Sequence, residues 1–426
     1  MVEIIRAVKF SYEPTAETER LLHDFRDMLN FCLKRAFETN SFSIKKLHHA
    51  CYKELRAKYD YNSQYVVSAI KVAVSMISSW KRTRGRKPVA KKLFIQFSPL
   101  LTRFEGDKLR ISVKPREFLT VPLKFGSYQE KFIRAWREGK LKIGEISMNE
   151  SWIIIPFKQE IDLTKPNEAV AIDINENNIT AVDSNGNCLQ IDTSILKETH
   201  MAYANKLRKV QKIGDSKVKK RLYKKYSGKR KRKVQDLLHK LTKELSEIVK
   251  DKTVLMENLK GIRKSINRKR KAFNKHSGKV QRVSVHSKRL KGRLNSWNFL
   301  KFQSMLDYKH KMNGFDVEYL DPHNTSSICS RCGGKIAPME KVCSKCGLDR
   351  DINACLNLLK MWGDSGPPES LLMSVMKLGC QGLKADEVNQ AKLREEVEGS
   401  STGKKALYKS CESFNGLILN NFAKCH

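Results

Sequence analysis

Four cysteines stand in the stretch CSRCGGKIAPMEKVCSKCGLDRDINA, residues 329–354. Cys329 and Cys332 form one C-x2-C pair, and Cys343 and Cys346 form a second after ten intervening residues. Each pair needs a turn that aims both sulfurs at one point. Gly333 and Gly347 follow the second cysteine of each pair, where a backbone with positive φ is useful. Four thiolates in a tetrahedron suit zinc. A closed four-cysteine site leaves no open coordination position, so such a zinc is structural, not catalytic. Chance spacing is the competing reading. The remaining cysteines (Cys32, Cys51, Cys188, Cys355, Cys380, Cys411 and Cys425) show no pairing pattern and read as packing or reduced surface thiols.

Five residues beyond Cys346 comes Asp351, and two other acids sit in comparable settings. The apolar run Ala169–Ile172 ends in Asp173, and Val254–Met256 ends at once in Glu257. Asp351 opens a helical pattern with Ala354, Leu358 and Leu359 on its apolar side. Singly, each acid has an ordinary use: a turn former, a surface residue past a strand, a helix N-cap. Together, two acids at the ends of buried strands and one at a helix start follow the layout of the ribonuclease-H fold. There, acids from distant sequence positions converge on two divalent metals. Phosphodiester hydrolysis needs a water made nucleophilic at neutral pH and a neutralised leaving oxygen, which two Mg²⁺ about 4 Å apart supply. Carboxylates are the hard oxygen ligands that Mg²⁺ takes.

The elements that must position these groups are legible in outline. EIIRAVKFSYE alternates as a strand, and Pro14 and Thr15 open a helix with apolar residues at Leu21, Leu22, Phe25, Leu29, Phe31 and Leu33. A second helix is expected through QYVVSAIKVAVSMISSWKR, ending at TRGRKP. From Lys92 to Glu160, short alternating runs read as antiparallel β-structure, with a small barrel as the expectation. The first 165 residues therefore read as a β domain with a helical insertion. Next, AVAID, ITAVDS and NCLQID form three strands, the last two joined by a hairpin at Asn185-Gly186. The run before Glu257 is apolar on both faces, which suits a central strand covered by helices.

The chain has 426 residues, 83 Lys and Arg against 45 Asp and Glu, and a formal net charge of +38. Length suggests two to four domains, and the charge calls for a polyanionic partner, nucleic acid above all. The charge is concentrated: Lys206 to Lys233 holds 15 basic residues against one acid, and Lys260 to Arg293 holds 14 against none. In the first domain, basic residues (KRTRGRK, VAKK) are interleaved with aromatics, a pattern that suits nucleic-acid contact. No apolar run nears the roughly 18 residues of a membrane span, and the start has no signal-peptide core, so a soluble, intracellular protein without a membrane partner is expected. From Trp362 to His426 the composition turns neutral, and a separate, partly helical and partly disordered tail is expected.

Taken in order, AIDINENNITAVDSNG, VLMENLKGI, TSSICSRCGG, VCSKCG and LDRDINACLNLL resemble the TnpB-type proteins of bacterial and archaeal insertion sequences, relatives of the type V CRISPR effectors. The opening SYEPTAETERLLHDFRDMLNFC is similar too, so the resemblance covers about residues 1–362. It implies an RNA-guided, metal-dependent DNA endonuclease of mixed α+β and α/β multidomain fold. A β-barrel-like wedge domain would span 1–165, with a helical recognition insertion at about 15–90. A RuvC-like nuclease domain would span 166–324, a zinc ribbon 325–348, the final nuclease segment 349–362, and a tail 363–426. The implied catalytic acids and magnesium ligands are Asp173, Glu257 and Asp351, for two ions. Asp349 would be a neighbour, and the four cysteines would hold zinc. The implied partners are a guide RNA derived from the transposon end and double-stranded target DNA, bound by a monomer or a dimer. The implied setting is the prokaryotic cytoplasm, with nucleoid association through DNA.

Within the two basic stretches, Lys219, Lys220, Arg221, Lys224, Lys229, Arg230 and Arg232, with Arg263, Arg268, Arg270, Arg289 and Arg293, are expected to contact nucleic-acid backbone. The chain departs from the family where Gly often flanks the first acid: Ala171 precedes it and Asn175 follows it. Ala keeps close packing, and Asn tolerates a left-handed turn. Three rivals stand beside this reading: a non-catalytic nucleic-acid-binding or regulatory protein, a transposase that cuts and rejoins DNA itself, and, on the weak match of GSSTGKK to a phosphate loop, an NTP-driven remodeller.

Overall fold

The computed structural model describes residues 1–83, 85–274 and 277–363. The expectations for the tail therefore lie outside the described residues from 364 on. The chain divides into two compact units, Met1–Asp162 and a second beginning at Leu163. Both mix helices with strands.

In the first unit, β1 (Val2–Ser11) leads into three helices: α1 (Ala16–Glu38), α2 (Ile44–Lys58) and α3 (Ser63–Thr83). The first and third match the two expected helices. Thr15 caps α1, its hydroxyl accepting from the Thr18 amide while the Thr18 hydroxyl accepts from the Thr15 amide. Sequence reading missed α2, although Leu47, Cys51 and Leu55 recur every four residues and are buried.

The rest of this unit comprises β2 (Phe94–Gln96), β3 (Thr102–Phe104), β4 (Lys108–Lys114), β5 (Glu117–Pro122), α4 (Ser127–Arg137), β6 (Lys142–Ile143), β7 (Ser147–Asn149) and β8 (Trp152–Ile161). The expected barrel is not what forms. One sheet runs β1-β8-β7-β2 with β6 also on β8, and β3-β4-β5 is a separate sheet; neither closes. Closure requires two free edges to pair. Here the outer edge of β1 meets an isolated backbone bridge at Ser11–Lys124 and a side-chain contact from α4, whose Gln129 amide donates to the Lys9 carbonyl at 3.1 Å.

The second unit is built on a five-stranded sheet in the order β11-β10-β9-β12-β15. Its strands are β9 (Ala169–Ile174), β10 (Asn178–Asp183), β11 (Cys188–Asp192), β12 (Thr253–Glu257) and β15 (Val317–Leu320). The first three form the expected meander, with Gly186 at φ 82° in the predicted hairpin. β12 runs parallel to both β9 and β15, the central position that its apolar run implied. Between β11 and β12 lie α5 (Ser194–Gln211) and α6 (Ser216–Ile248). Between β12 and β15 lie α7 (Ile262–Ile266), the hairpin strands β13 (Lys269–Asn274) and β14 (Lys279–Ser284), α8 (Lys288–Ser296) and α9 (Phe299–Met312). The last element is α10 (Arg350–Trp362).

Strand alternation sorts the residues of this sheet onto two faces. Val170, Ile172 and Ile174 of β9, with Val254 and Met256 of β12, pack with Leu238 and Leu245 of α6 and Phe302 and Leu306 of α9. Ala169, Ala171 and Leu255 pack on the other face with Ile352, Cys355, Leu356 and Leu359 of α10. Ala171 is fully buried there, so a small residue does serve close packing. By the same alternation, Asp173 and Glu257 belong to the α10 face. A slip of one residue in either strand would bury its acid among the leucines of α6 and α9.

Candidate functional site

Asp173, near the end of β9, and Glu257, at the end of β12, are side by side in register: Ile172 pairs with Met256, and each acid comes one residue later. α10 lies over β9, β10 and β12 and brings Asp351 in its first turn. Asp173 is 8% exposed. Its pKa is raised to about 7, first by burial and then by the negative charges of Glu257 and Asp351. Glu257 is raised as well, mainly by burial. Of the three acids singled out by the sequence, Glu257 and Asp351 are thus close enough to Asp173 to oppose its ionisation.

Each acid has a neutral side-chain donor. Asn175 Nδ2 donates to Asp173 Oδ2 at 2.8 Å, Asn178 Nδ2 to Asp351 Oδ2 at 2.8 Å, and Thr325 Oγ1 to Glu257 Oε1 at 2.6 Å. Asn175 does not adopt a left-handed conformation, against expectation; its side chain serves Asp173 instead. None of these donors was found from the sequence. An Asn two residues beyond an acid at a strand end is a usable signal for Asn175, but Asn178 and Thr325 reach their acids through tertiary structure.

Asp349 carries the cap of α10: its Oδ1 accepts from the amides of Asp351 at 2.9 Å and Ile352 at 3.1 Å. That role leaves the Asp351 carboxylate available to face Asp173. Replacing Asp349 by Ala is expected to cost about 1 kcal/mol of stability, measured by urea unfolding, with the amides at the start of α10 exchanging faster.

The cysteines form a second centre. Their four Sγ atoms all lie within 4.8 Å of one another, and among the described residues no other set of three or more Cys, His, Asp or Glu does so. The two turns are built alike. The Gly333 amide donates to the Cys329 carbonyl, and the Cys329 amide to the Gly334 carbonyl. The Gly347 amide donates to the Cys343 carbonyl, and the Cys343 amide to the Leu348 carbonyl. Gly333 and Gly347 have φ of 66° and 70°, the positive values the spacing predicted. Backbone amides of Cys346 and Lys345 lower the Cys343 thiol pKa to about 6, while burial pushes the Cys346 thiol up to about 12, so in the metal-free cluster the thiolate is favoured at Cys343 and not at Cys346. The cluster therefore fits zinc by donor type, number and compactness. Lys335, Lys341 and Lys345 are exposed on its surface, and Arg331 is half-buried.

The basic stretches become helices and a hairpin. Lys219, Lys220, Arg221, Lys224, Lys229, Arg230 and Arg232 all lie on α6, and all but Lys219 and Arg230 are exposed. Arg263 (α7), Arg268, Arg270 (β13) and Arg289 (α8) are exposed. Arg293, also on α8, is committed differently: its Nε lies 2.7 Å from Glu176 Oε2, in the turn after β9. Among the described residues no helix is long and apolar enough to cross a membrane.

The same segments match known proteins. A family model described as "Probable transposase" matches residues 154–265, one described as "Cas12f1-like, TNB domain" matches 299–358, and the "Uncharacterized protein MJ0013 family" model matches 21–112. A TnpB-like protein of Methanocaldococcus jannaschii is 40% identical over 292 residues, which is 65% of this chain and 99% of that relative. A second TnpB-like protein of the same organism is 26% identical over 386 residues, 84% of this chain and 86% of the relative. Among solved structures, the cryo-EM structure of a Cas12f1–sgRNA–target DNA complex aligns with a TM-score of 0.55 at 14% identity, over 84% of this chain and 98% of that one. At that identity the likeness concerns the fold.

Proposed function

The chain belongs to the TnpB-like family, and on that premise we propose that it is an RNA-guided, magnesium-dependent DNA endonuclease encoded by an insertion-sequence-type transposon. Its second unit is read as a RuvC-like nuclease domain of ribonuclease-H fold, with residues 325–348 as a zinc ribbon and 349–362 as the final nuclease segment. Its first unit is read as a wedge domain, with α1 to α3 as the recognition insertion. The reading rests above all on the convergence of Asp173, Glu257 and Asp351 from β9, β12 and the first turn of α10, where Asp173 is raised by burial and then by the charges of the other two. A carboxylate raised in pKa by burial and then by two neighbouring acids is a site that divalent cations would relieve.

In this reading Asp173, Glu257 and Asp351 hold two magnesium ions, which, when bound, activate a water and neutralise the leaving oxygen of a phosphodiester. The neutral donors Asn175, Asn178 and Thr325 orient one oxygen of each acid without adding positive charge that would compete with metal. Gln303 donates to the Glu257 carbonyl at 2.7 Å and steadies the end of β12. The cysteines hold a structural zinc. The exposed cations of α6, α7, β13 and α8 bind backbone phosphates, while sequence choice comes from pairing with a guide RNA made from the transposon end.

Replacing Lys220, Arg221 and Lys224 together by Gln is expected to weaken nucleic-acid binding at all sequences alike. It should also reduce the slope of log affinity against log salt by roughly 2 to 3, read by fluorescence anisotropy. The nature of the partner is tested by expressing the chain with the DNA that flanks its gene and sequencing bound RNA. A discrete species bearing the transposon end supports a guided enzyme, and absence of any defined RNA refutes it. The "Probable transposase" match over 154–265 favours one second reading, a protein that cuts and rejoins DNA itself. Strand-transfer products in a cleavage reaction would establish that alternative.

A further inference from the structure

Three polar residues of α10 stand where its other inward positions are apolar: Asn353, Asn357 and Lys360, on one stripe of the helix at spacings of four and three. Asn353 is fully buried. A buried amide must be satisfied, and this one is satisfied wholly by the segment that leads into the first cysteine turn. Its Oδ1 accepts from the Ser330 amide at 2.6 Å, and its Nδ2 donates to the carbonyls of Ile328 at 2.9 Å and Thr325 at 3.2 Å. Asn357 Nδ2 donates to the same two carbonyls at 2.8 and 2.7 Å, and Lys360 Nζ donates to the Ser330 carbonyl at 2.5 Å. The segment 325–330 is therefore stitched to α10 by side chains.

Thr325 carries the connection further. It is 3% exposed, its carbonyl receives both asparagines, and its hydroxyl donates to Glu257. One end of this network thus lies between Cys329 and Cys332, at Ser330, and the other ends on the carboxylate of Glu257. Asn353 is also two residues from Asp351 on the same helix.

We infer that Asn353 and Thr325 are positioning residues that make the geometry of the acid site depend on the fold of the cysteine cluster. Asn353 fixes α10, and so Asp351, against the first cysteine turn, and Thr325 fixes Glu257 against the same turn. The inference rests on the function proposed above and specifies how its two centres cooperate. Partners that orient metal ligands commonly affect affinity by ten- to a hundredfold, the range expected for residues in this role.

The test uses the full chain, with Mn²⁺ as a countable probe of the acid site by electron paramagnetic resonance. Zinc content and amide exchange are measured on the same samples. Thr325→Val removes the hydroxyl at constant shape and keeps the carbonyl. It is expected to weaken Mn²⁺ binding about tenfold, with zinc unchanged and Thr325→Ser restoring affinity. Asn353→Ala is expected to weaken Mn²⁺ binding at least as much and to speed amide exchange at 350–353 by about tenfold or more. If Asn353→Ala does not fold, the Thr325 pair decides the matter alone. Mn²⁺ affinity within twofold of the unaltered chain in Thr325→Val would overturn the inference while leaving the proposed function standing. Absence of any Mn²⁺ binding that Asp173→Ala removes would overturn the proposed function, and the inference with it.

Discussion

Asp173→Asn is expected to stabilise the metal-free protein at pH 8 while removing metal-dependent cleavage. The two effects have one cause. In the unfolded chain Asp173 titrates near 3.8, and in the folded chain near 7, because it is buried and faces Glu257 and Asp351. Below about pH 4 both states hold the proton and the residue costs nothing. As pH rises from about 4 to about 7, the unfolded state releases its proton and the folded state does not, so stability falls; above 7 the loss is complete, on the order of 4 kcal/mol. Asn presents a neutral group of the same shape and leaves Glu257 and Asp351 with one negative neighbour fewer. Urea midpoints in chelator should therefore fall between pH 5 and pH 8 for the unaltered chain, and fall much less for the variant. Magnesium should restore the unaltered chain and do little for the variant. Cleavage should drop by more than about a thousandfold, because ligands that act as a unit fail as a unit. A variant no more stable than its parent at pH 8 would mean that burial and the neighbouring carboxylates do not oppose the ionisation of Asp173 in solution.

Cys343→Ser carries the second large expectation. Cys343 is 1% exposed, and Ile336 and Leu348 are the apolar residues of its segment that are buried with it against α10. Two such side chains are little apolar burial for some twenty residues; zinc held by the four thiols would add to it and to the hydrogen bonds from α10, and in small zinc domains that contribution is on the order of 10 kcal/mol. Replacing one ligand is expected to remove zinc from the protein, expose residues 327–349 to proteolysis, and loosen the first turn of α10. Atomic emission for zinc and limited digestion provide the readouts. Cys188→Ser, outside the cluster, is the control and should retain one zinc per chain. Full zinc in Cys343→Ser would show that the four thiols are not its ligands.

The legible parts of this protein share a physical property: their signals are local. The runs before Asp173 and Glu257 are apolar without alternation, and such runs mark central strands. The cysteine spacing and its two glycines describe turns that need no distant partner. Tertiary choices were less visible. Alternating runs up to Glu160 announced strands but not whether their edges would meet, and β1 and β3-β4-β5 end in separate sheets joined at that edge by an isolated bridge, Ser11–Lys124. The cap of α10 fell to Asp349, because two aspartates two residues apart read alike until the backbone amides are in place. The first half of α6 is so basic that it has little apolar period to reveal a helix; burial begins only at Val234, Leu238 and Thr242. The polar stripe of α10 was silent for a different reason. Asn353 is meaningful only once the carbonyls it satisfies are known.

The proposed function requires that an RNA held by this chain direct metal-dependent cutting by Asp173, Glu257 and Asp351. The most direct test is plasmid cleavage by the purified RNA complex in Mg²⁺, with the guide segment exchanged for a second sequence and Asp173→Ala run alongside. A cut that moves with the guide and disappears in the variant is expected. Abundant bound RNA with no cut at either matched site, in Mg²⁺ or Mn²⁺, would contradict it and leave a binding or regulatory protein.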